Sequence, residues 1–518
     1  MRKLISSRAS ERFRRPKRGG ENLISWLALV ATVVFLLGLV VRDGYGSAAG
    51  GGVPDRTGFS ASAAPDHILV IDCGSTGTRL NIIRRGEDGV TLQAVSWEEY
   101  RVPFPGYTPK KHGYNRLETT PGIHNQAGAG DEGVRSALDP LLLWAKEALA
   151  GHGDPAHTPI LLFATAGARK LGEADRNELM ASVRRVLSSS GFRFRPEWAK
   201  IIAGEDEGIF SWVSSNYKLG KFAAGDGGVV NMLELGGSSL QASYVVNGSD
   251  AGAREVEVLG RKHGLKVQSF NGYGMNDAFN ATLYHLLGDT AGGLEGVEDR
   301  RVVAHPCLQR GYAFEPKEIG VRFEGAFDSE ACSLAVLGAF SASELSEKGV
   351  ARHHAGVGGT GGGYIALAGF YLVYSFFGLD LGLPLSEAAR RTGEVCSGAF
   401  DETLTAEERE DRNAGLYCFR SVYSRVILNE WLGLGDDQVA VYGSSEWALG
   451  AALLTQWEED EAGGGRREAA AAAAAAGMAP LGAGALVLVG LGVWGWRRRR
   501  RDDPKRWDLP IFSRDKHP

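Results

Sequence analysis

Two short blocks constrain this 518-residue chain more than any other feature: "VIDCGSTGTRL" (70–80) and "LELGGSSLQASY" (233–244), their acids 162 residues apart. Each is an apolar run that ends in one carboxylate, Asp72 or Glu234, and passes into glycines, serines and threonines. The apolar run reads as a buried strand. The glycine-rich turn after it exposes successive backbone N–H groups, and Ser/Thr hydroxyls add donors, which together cradle phosphate oxygens. An acid at the strand end would repel phosphate unless a divalent cation, commonly still hydrated, sits between them. One such loop is as readily an ordinary tight turn. Two, at equivalent places in a repeated α/β unit, point to loops that face each other across adjacent phosphates and one metal ion.

The rest of the middle region fits that repeat. Strand patterns ("PILLFAT", "GVVNMLEL") alternate with helix patterns ("ALDPLLLWAKEALA", "RNELMASVRRVLSSS"), the signature of α/β layers. Three further blocks carry chemistry. "FATAGARK" (163–170) ends a strand in a Gly turn with Arg169, and "IAGEDEGIFSWVSSNY" (202–217) sets Glu205, Asp206 and Glu207 before a helix. "VYGSSEWALGAAL" (441–453) places Trp447 beside a small-residue helix start.

Outside that region, residues 23–41 are 19 uncharged, mostly apolar residues, long enough to cross a bilayer. The alternative, a cleaved signal peptide, has a shorter apolar core and a small-residue cleavage site, neither of which is present. A second candidate span covers 469–496, opening with eight alanines and ending before five arginines; the alternative there is a low-complexity tail lying on the membrane. Residues 1–22 carry a net +6 and 497–518 a net +5, which leaves −16 on residues 23–496 of a chain whose total is −5. Basic flanks stay cytosolic, so the expected topology has both tails in the cytosol and the acidic middle lumenal or extracellular, with no nucleic acid as partner. The expected organisation is a basic tail (1–22), a span (23–41), a Gly/Ser/Ala-rich stalk (42–64), a catalytic region (65–458), a linker (459–468), a second span (469–496) and a second basic tail (497–518).

Cysteine use agrees with the lumenal side. Four of the five cysteines form sequence-local pairs, Cys307 with Cys332 and Cys396 with Cys418, read as disulfides rather than as reduced buried thiols. Cys73 is left over in the first Gly loop, where it reads as a small packing residue. Asn247 in "NGS" and Asn280 in "NAT" are glycosylation acceptors if this region is lumenal.

Taken in order, the five blocks resemble the apyrase conserved regions of the nucleoside triphosphate diphosphohydrolase family, over about residues 66 to 457 and including "HPCLQRGY" (305–312) and the paired cysteines. "DCGS" and a span at each end look most like intracellular, Golgi-type members, and "GSTGTR" resembles plant and diphosphate-preferring ones. The resemblance implies an actin-like fold, two ribonuclease-H-like lobes with nucleotide in the cleft, each lobe supplying one phosphate loop. It implies hydrolysis of terminal phosphates from nucleoside tri- or diphosphates with Ca2+ or Mg2+ as cofactor.

By the same resemblance Glu207 orients the attacking water; a carboxylate suits that place because the water must lose a proton. Asp72 and Glu234 hold the metal through water. Gly74, Ser75, Thr76, Gly77, Thr78 and Arg79 in one loop, and Gly236, Gly237, Ser238 and Ser239 in the other, cradle phosphates, while Thr165 and Gln241 position water or metal. Glu205 and Asp206 read as a charged helix start. Tyr371 and Trp431 are candidates for stacking on the base, each equally readable as a core aromatic; Trp212 and Trp447 read as structural. Two departures stand out: many members have Asp where this chain has Glu234, and Thr76–Gly77 replaces the Ser-His of cell-surface triphosphatases. They leave metal and phosphate-number preference open. A phosphotransferase on the same scaffold would give no reason for "GEDEG" and "WALG" in this order, and a non-catalytic nucleotide sensor would be expected to have lost Glu207.

Overall fold

The structure, a computed structural model, describes residues 66–88, 91–95, 116–222, 228–246, 252–289, 302–340, 363–443 and 447–462. Both candidate spans, both basic tails, the stalk and Asn247 lie outside the described residues. Among those described, no helix is long and apolar enough to cross a membrane.

In the first lobe β1 (His67–Cys73) pairs antiparallel with β2 (Thr78–Arg85), which carries β3 (Leu92–Ala94) and β4 (Arg116–Thr119) on its far side. The other edge of β1 runs parallel to β5 (Ile160–Ala164), and β5 runs parallel to β6 (Ala199–Ile201). Helices α1 (Gly130–Ala148), α2 (Ala166–Arg169), α3 (Glu173–Ser188) and α4 (Gly204–Lys218) are threaded between and after these strands. The second lobe repeats the plan. There β7 (Asn231–Leu235) pairs antiparallel with β8 (Ser239–Val245), which leads outward through β10 (Arg261–Asn271) to β9 (Arg254–Val258). On its other edge β7 is parallel to β14 (Tyr364–Ala368), and β14 to β15 (Val439–Gly443). Both sheets thus have a central first strand, an antiparallel hairpin partner on one side and two parallel strands on the other. This duplicated order is the actin-like arrangement.

A small sheet of β11 (Val302–His305), β12 (Ala313–Phe314) and β13 (Arg322–Gly325) is appended to the second lobe, with α5 (Met275–Asp289), α6 (Ser329–Ala339), α7 (Gly369–Phe376), α8 (Leu385–Ser397) and α9 (Tyr417–Arg425). Disulfides join Cys307 to Cys332 (S–S 2.10 Å) and Cys396 to Cys418 (1.99 Å) in this part, while Cys73 is buried and free. The final helix, α10 (Trp447–Ala462), runs four residues into the segment expected as linker.

Strand alternation decides which side chains can meet. Successive residues of a strand point to opposite faces. In β1, Leu69, Ile71 and Cys73 enter the outer core beneath α1 and α3, whereas Ile68 and Val70 enter a core shared by the two lobes. Parity therefore puts Asp72 on the shared face. In β7, Leu233 and Leu235 face the second lobe's own core and Met232 the shared one, so Glu234 also faces inward between the lobes. Having both faces covered is why these strands read as unbroken apolar runs.

Two helices exchange lobes to build the shared core. Although α4 leaves β6 of the first lobe, it packs on β8 and β10 of the second; α10 follows β15 yet lies against β1, β2 and β3. Where α4 and α10 cross, Gly450 sits so tightly on the Phe210 carbonyl that no β-carbon fits. Trp212, with 0% of its surface exposed, Val213, Trp447, Ala451 and Ala452 fill the interior of that contact. Trp212 and Trp447 are structural, as their sequence setting suggested.

Candidate active site

The two glycine loops are the same piece of geometry used twice. In the first, Gly74 N–H donates to the Gly77 carbonyl (3.0 Å) and Cys73 pairs with Thr78; in the second, Gly236 N–H donates to the Ser239 carbonyl (2.9 Å) and Leu235 pairs with Leu240. Each is a four-residue hairpin turn. One step behind it, Asp72 stands opposite Arg79 and Glu234 opposite Gln241. The loops face each other: a β-carbon on Gly237 would come within 2.7 Å of Ser75 Oγ and 3.5 Å of Thr76 Cγ2. A side chain there would make Ser75 and Asn276 give way, so glycine lets the loops approach without moving them.

Each loop is braced from behind. Arg79 donates to Asp72 Oδ2 (3.3 Å), Thr76 Oγ1 (2.8 Å) and Glu118 Oε1 (3.3 Å), which fixes a positive charge under the first loop. Thr78 Oγ1 accepts from Ile123 N–H (3.1 Å). Beneath the second loop, the first amides of α5 close on it: Met275 N–H donates to Gly236 O and Asn276 N–H to Gly237 O, both at 2.9 Å. Thr165, at the end of β5, donates both its N–H (3.1 Å) and its hydroxyl (3.3 Å) to the Cys73 carbonyl, tying the block after β5 to the first loop.

Glu207 lies in the first turn of α4 and is 9% exposed. Gly204 and Gly208 on either side let that turn press against β8 and β10; a β-carbon at Gly208 would meet Val267 Cγ1 at 2.5 Å and Ser243 Oγ at 2.9 Å. Arg169, arriving from the first lobe, donates through both terminal nitrogens to Glu207 Oε2 (3.3 Å each) and also to the Ile202 carbonyl (3.1 Å). Four residues along α4, Ser211 donates to Glu234 Oε2, so one helix face carries Glu207 and holds Glu234. Asp206 has the other role expected of it: its carboxylate accepts from Ala203 N–H at the helix start (3.3 Å) and pairs with Arg254 (2.9 Å).

Burial, and next the negative charge of Glu234, push the Glu207 carboxyl up to about 8; Arg169 opposes the rise and Asp72 adds to it. Three carboxylates thus share one buried space. No group of three or more His, Cys, Asp or Glu side chains among the described residues is placed to ligate one ion directly. What the site offers a cation is oxygen alone: Asp72 (7% exposed), Glu234 (5%) and Gln241, whose amide donates to Ser239 Oγ and Ser269 Oγ while its Oε1 is buried without a hydrogen-bond partner. An oxygen set with an unused acceptor suits a hard divalent ion that keeps part of its water.

Other sequence candidates fall elsewhere. Trp431 is 4% exposed and packs edge-on against Tyr273 (5.4 Å between centroids), Phe340 (5.2 Å) and Tyr423 (5.8 Å). It is a core aromatic and has no face left for a base. Tyr371 is half-buried on α7, whose first residue, Gly369, abuts the Leu235 carbonyl at the root of the second loop. Asn280 is exposed on α5. Burial raises the Cys73 thiol well above its ordinary value, which suits packing and not nucleophilic work. Arg169 stands in one of the sequence blocks with no task legible there, and Ser211 is marked in the sequence only by its spacing from Glu207, one helical turn.

The family profile described as GDA1/CD39 (nucleoside phosphatase) matches residues 62–459. "Probable apyrase 3" of Arabidopsis thaliana is 30% identical over 416 residues, covering 74% of this chain and 81% of its own length. "Probable apyrase 7" of the same plant is 29% identical and covers 76% of this chain, which spans 57% of that longer relative. The human "Ectonucleoside triphosphate diphosphohydrolase 6" is 24% identical over 74% of this chain and 75% of its own. Among solved structures, the nucleoside triphosphate hydrolases from Neospora caninum share the fold with a TM-score of 0.52 at 15% identity, over 79% of this chain and 95% of theirs. The profile covers most of the chain and a relative is 30% identical over 74% of it, so this chain belongs to the GDA1/CD39 (nucleoside phosphatase) family.

Proposed function

We propose that this nucleoside phosphatase hydrolyses the terminal phosphate of nucleoside tri- and diphosphates held between its two glycine loops, with Glu207 as general base. The observation that carries the reading is the meeting of Glu207, Asp72 and Glu234 on the face between the lobes, beside two loops in contact through Gly237 and Ser75. The loop amides, with Ser75, Thr76, Ser238 and Ser239, bind phosphate oxygens, and Arg79 supplies positive charge from below. Glu207 takes a proton from water as the water oxygen bonds to the terminal phosphorus and the bridging P–O bond breaks, so inorganic phosphate leaves in one direction and the shortened nucleotide in the other. Arg169 holds the receiving carboxylate in place, and Ser211 does the same for Glu234. Asp72 and Glu234 would hold a divalent cation, Ca2+ or Mg2+, through water, with Gln241 and Thr165 beside it, and the ion would supply counter-charge to the phosphates. Counter-charge there would also offset the part of the Glu207 rise that comes from Glu234 and Asp72, leaving the larger part due to burial.

The test is phosphate release from ATP, ADP, UTP, UDP, GTP and GDP with Mg2+ or Ca2+. Release from none of the twelve combinations would sink the proposal. Tyr371 contacts the base in this reading, so Tyr371→Ala should raise KM for nucleotides and leave hydrolysis of inorganic triphosphate unchanged; equal effects on both would remove Tyr371 from the site. In this reading the catalytic region is lumenal or extracellular because both flanks of residues 23–496 are basic, and in a Golgi or related membrane because "DCGS" and a span at each end resemble Golgi-type members. Protease added outside sealed vesicles should trim only the tails, and digestion of the middle region would reverse that topology.

A further inference from the structure

Directly after Arg169 comes Lys170, the residue that ends α2. Its side chain leaves the first lobe and reaches the second phosphate loop: Nζ donates to Ser238 Oγ (2.9 Å) and to both carboxylate oxygens of Asp277 (2.8 and 2.6 Å). Asp277 stands in the first turn of α5, the helix that braces this loop, and its own N–H bonds to the Gly237 carbonyl (3.3 Å). Ser238 Oγ in turn donates to Asp277 Oδ1 (3.2 Å). An ammonium from one lobe, a loop hydroxyl of the other and the carboxylate behind it form a closed set of three across the cleft.

This set has an electrostatic consequence. A bare carboxylate 3.2 Å from Ser238 would oppose any anion on the loop, and the ammonium of Lys170 offsets it. A lysine head is a compact charge with three donors. Two are directed at Asp277 and the third at Ser238 Oγ, so a phosphate oxygen on the second loop would take the place of Ser238 as the third acceptor. The Lys170 side chain keeps 50% of its surface exposed against 21% for Asp277, so the lysine stays open to solvent while the carboxylate is the more enclosed partner.

Resting on the nucleotide hydrolase reading above, we propose that Lys170 is a substrate-contacting residue: its ammonium, held in place by Asp277, binds the phosphate chain where it lies on the second loop and joins the two lobes through the bound nucleotide. Adjacent cations thus divide the work. Arg169 orients the base and Lys170 holds the substrate.

The experiment uses the full chain in detergent, with Lys170→Met, Lys170→Arg, Asp277→Asn, the double variant Lys170→Met/Asp277→Asn, and Lys262→Met as a surface control whose ammonium pairs with exposed Glu255. KM and kcat come from phosphate release, and Kd from calorimetry with a non-hydrolysable ATP analogue. Losing a charged hydrogen bond to phosphate should raise KM and Kd about tenfold to a hundredfold in Lys170→Met, with kcat changed far less. Lys170→Arg keeps the charge and should stay within about threefold of wild type. The double variant should regain part of the lost affinity, because the uncompensated Asp277 charge has gone. Unchanged KM and Kd in Lys170→Met, or a fall in kcat alone, overturns the proposal. A wild-type chain that binds the analogue but releases no phosphate refutes the hydrolase reading while Kd still decides the role of Lys170; one that binds no nucleotide refutes both.

Discussion

Exchanging Glu207 for Gln removes the proton acceptor while leaving an oxygen for Arg169, whose two terminal nitrogens each stand 3.3 Å from Oε2. A carboxyl pushed up to about 8 is about one-tenth ionised at pH 7, from the tenfold-per-unit relation that defines a pKa. Counter-charge on Asp72 and Glu234 that lowers it by one unit brings the ionised fraction to about a half, and by two units to about nine-tenths. The sign is fixed: turnover needs the ionised base, so wild-type activity should climb with rising pH through the Glu207 pKa and level off above it. In Glu207→Gln that climb should vanish and the rate fall by about 10² to 10⁴, with analogue binding retained. Glu234→Gln removes the charge that, after burial, does most to raise Glu207, so its low-pH limb should move to lower pH while more metal is needed for the same rate. Phosphate release measured against pH and metal concentration reads all three effects. Glu205→Gln is the internal control, since Glu205 sits half-exposed at the helix start. Retention of more than about a tenth of the activity in Glu207→Gln, a smaller loss than removal of a general base causes, would refute the assignment, as would a crippled Glu205→Gln.

Gly450→Ala tests the helix exchange that fixes the lobes: alanine in an open helix would add about 0.5–1 kcal/mol of stability, but against the Phe210 carbonyl it should cost about 1–3 kcal/mol, and an unchanged or raised Tm would contradict the packing. His305 is fully buried, and burial depresses its imidazole to about 4. Between about pH 6.5 and 4 the unfolded chain takes up a proton that the folded chain refuses, so stability should fall with falling pH across that window by up to about 3 kcal/mol. Denaturant titrations of His305→Asn should show that slope reduced, and parallel curves for wild type and variant would exclude His305 as its source.

How legible the site was depended on sequence distance. Asp72 and Glu234 could be paired from the sequence because each stands at the end of its own apolar run and precedes its own loop, so their equivalence is written locally. Trp431 could not be placed that way: an aromatic near a helix end has the same local pattern whether it lines a cleft or fills a core, and the surrounding Tyr273, Phe340 and Tyr423 come from three separate segments.

The sequence by itself determined two α/β units, two acid-tipped glycine loops, two local cysteine pairs and the residue types of a nucleoside phosphatase, since apolar runs, glycine turns and charge are properties of short stretches. Only the tertiary structure decided who meets whom. Arg169 reaches Glu207 across 38 residues and Lys170 reaches Asp277 across 107, and neither spacing carries a periodic signal. Arg169 meets a carboxylate of α4, the helix that leaves one lobe to pack on the other, and its neighbour Lys170 meets one of α5 in the second lobe. That exchange is driven by burial of Trp212, Trp447 and their neighbours in the shared core, a non-directional force that the chain satisfies only when both lobes are in place.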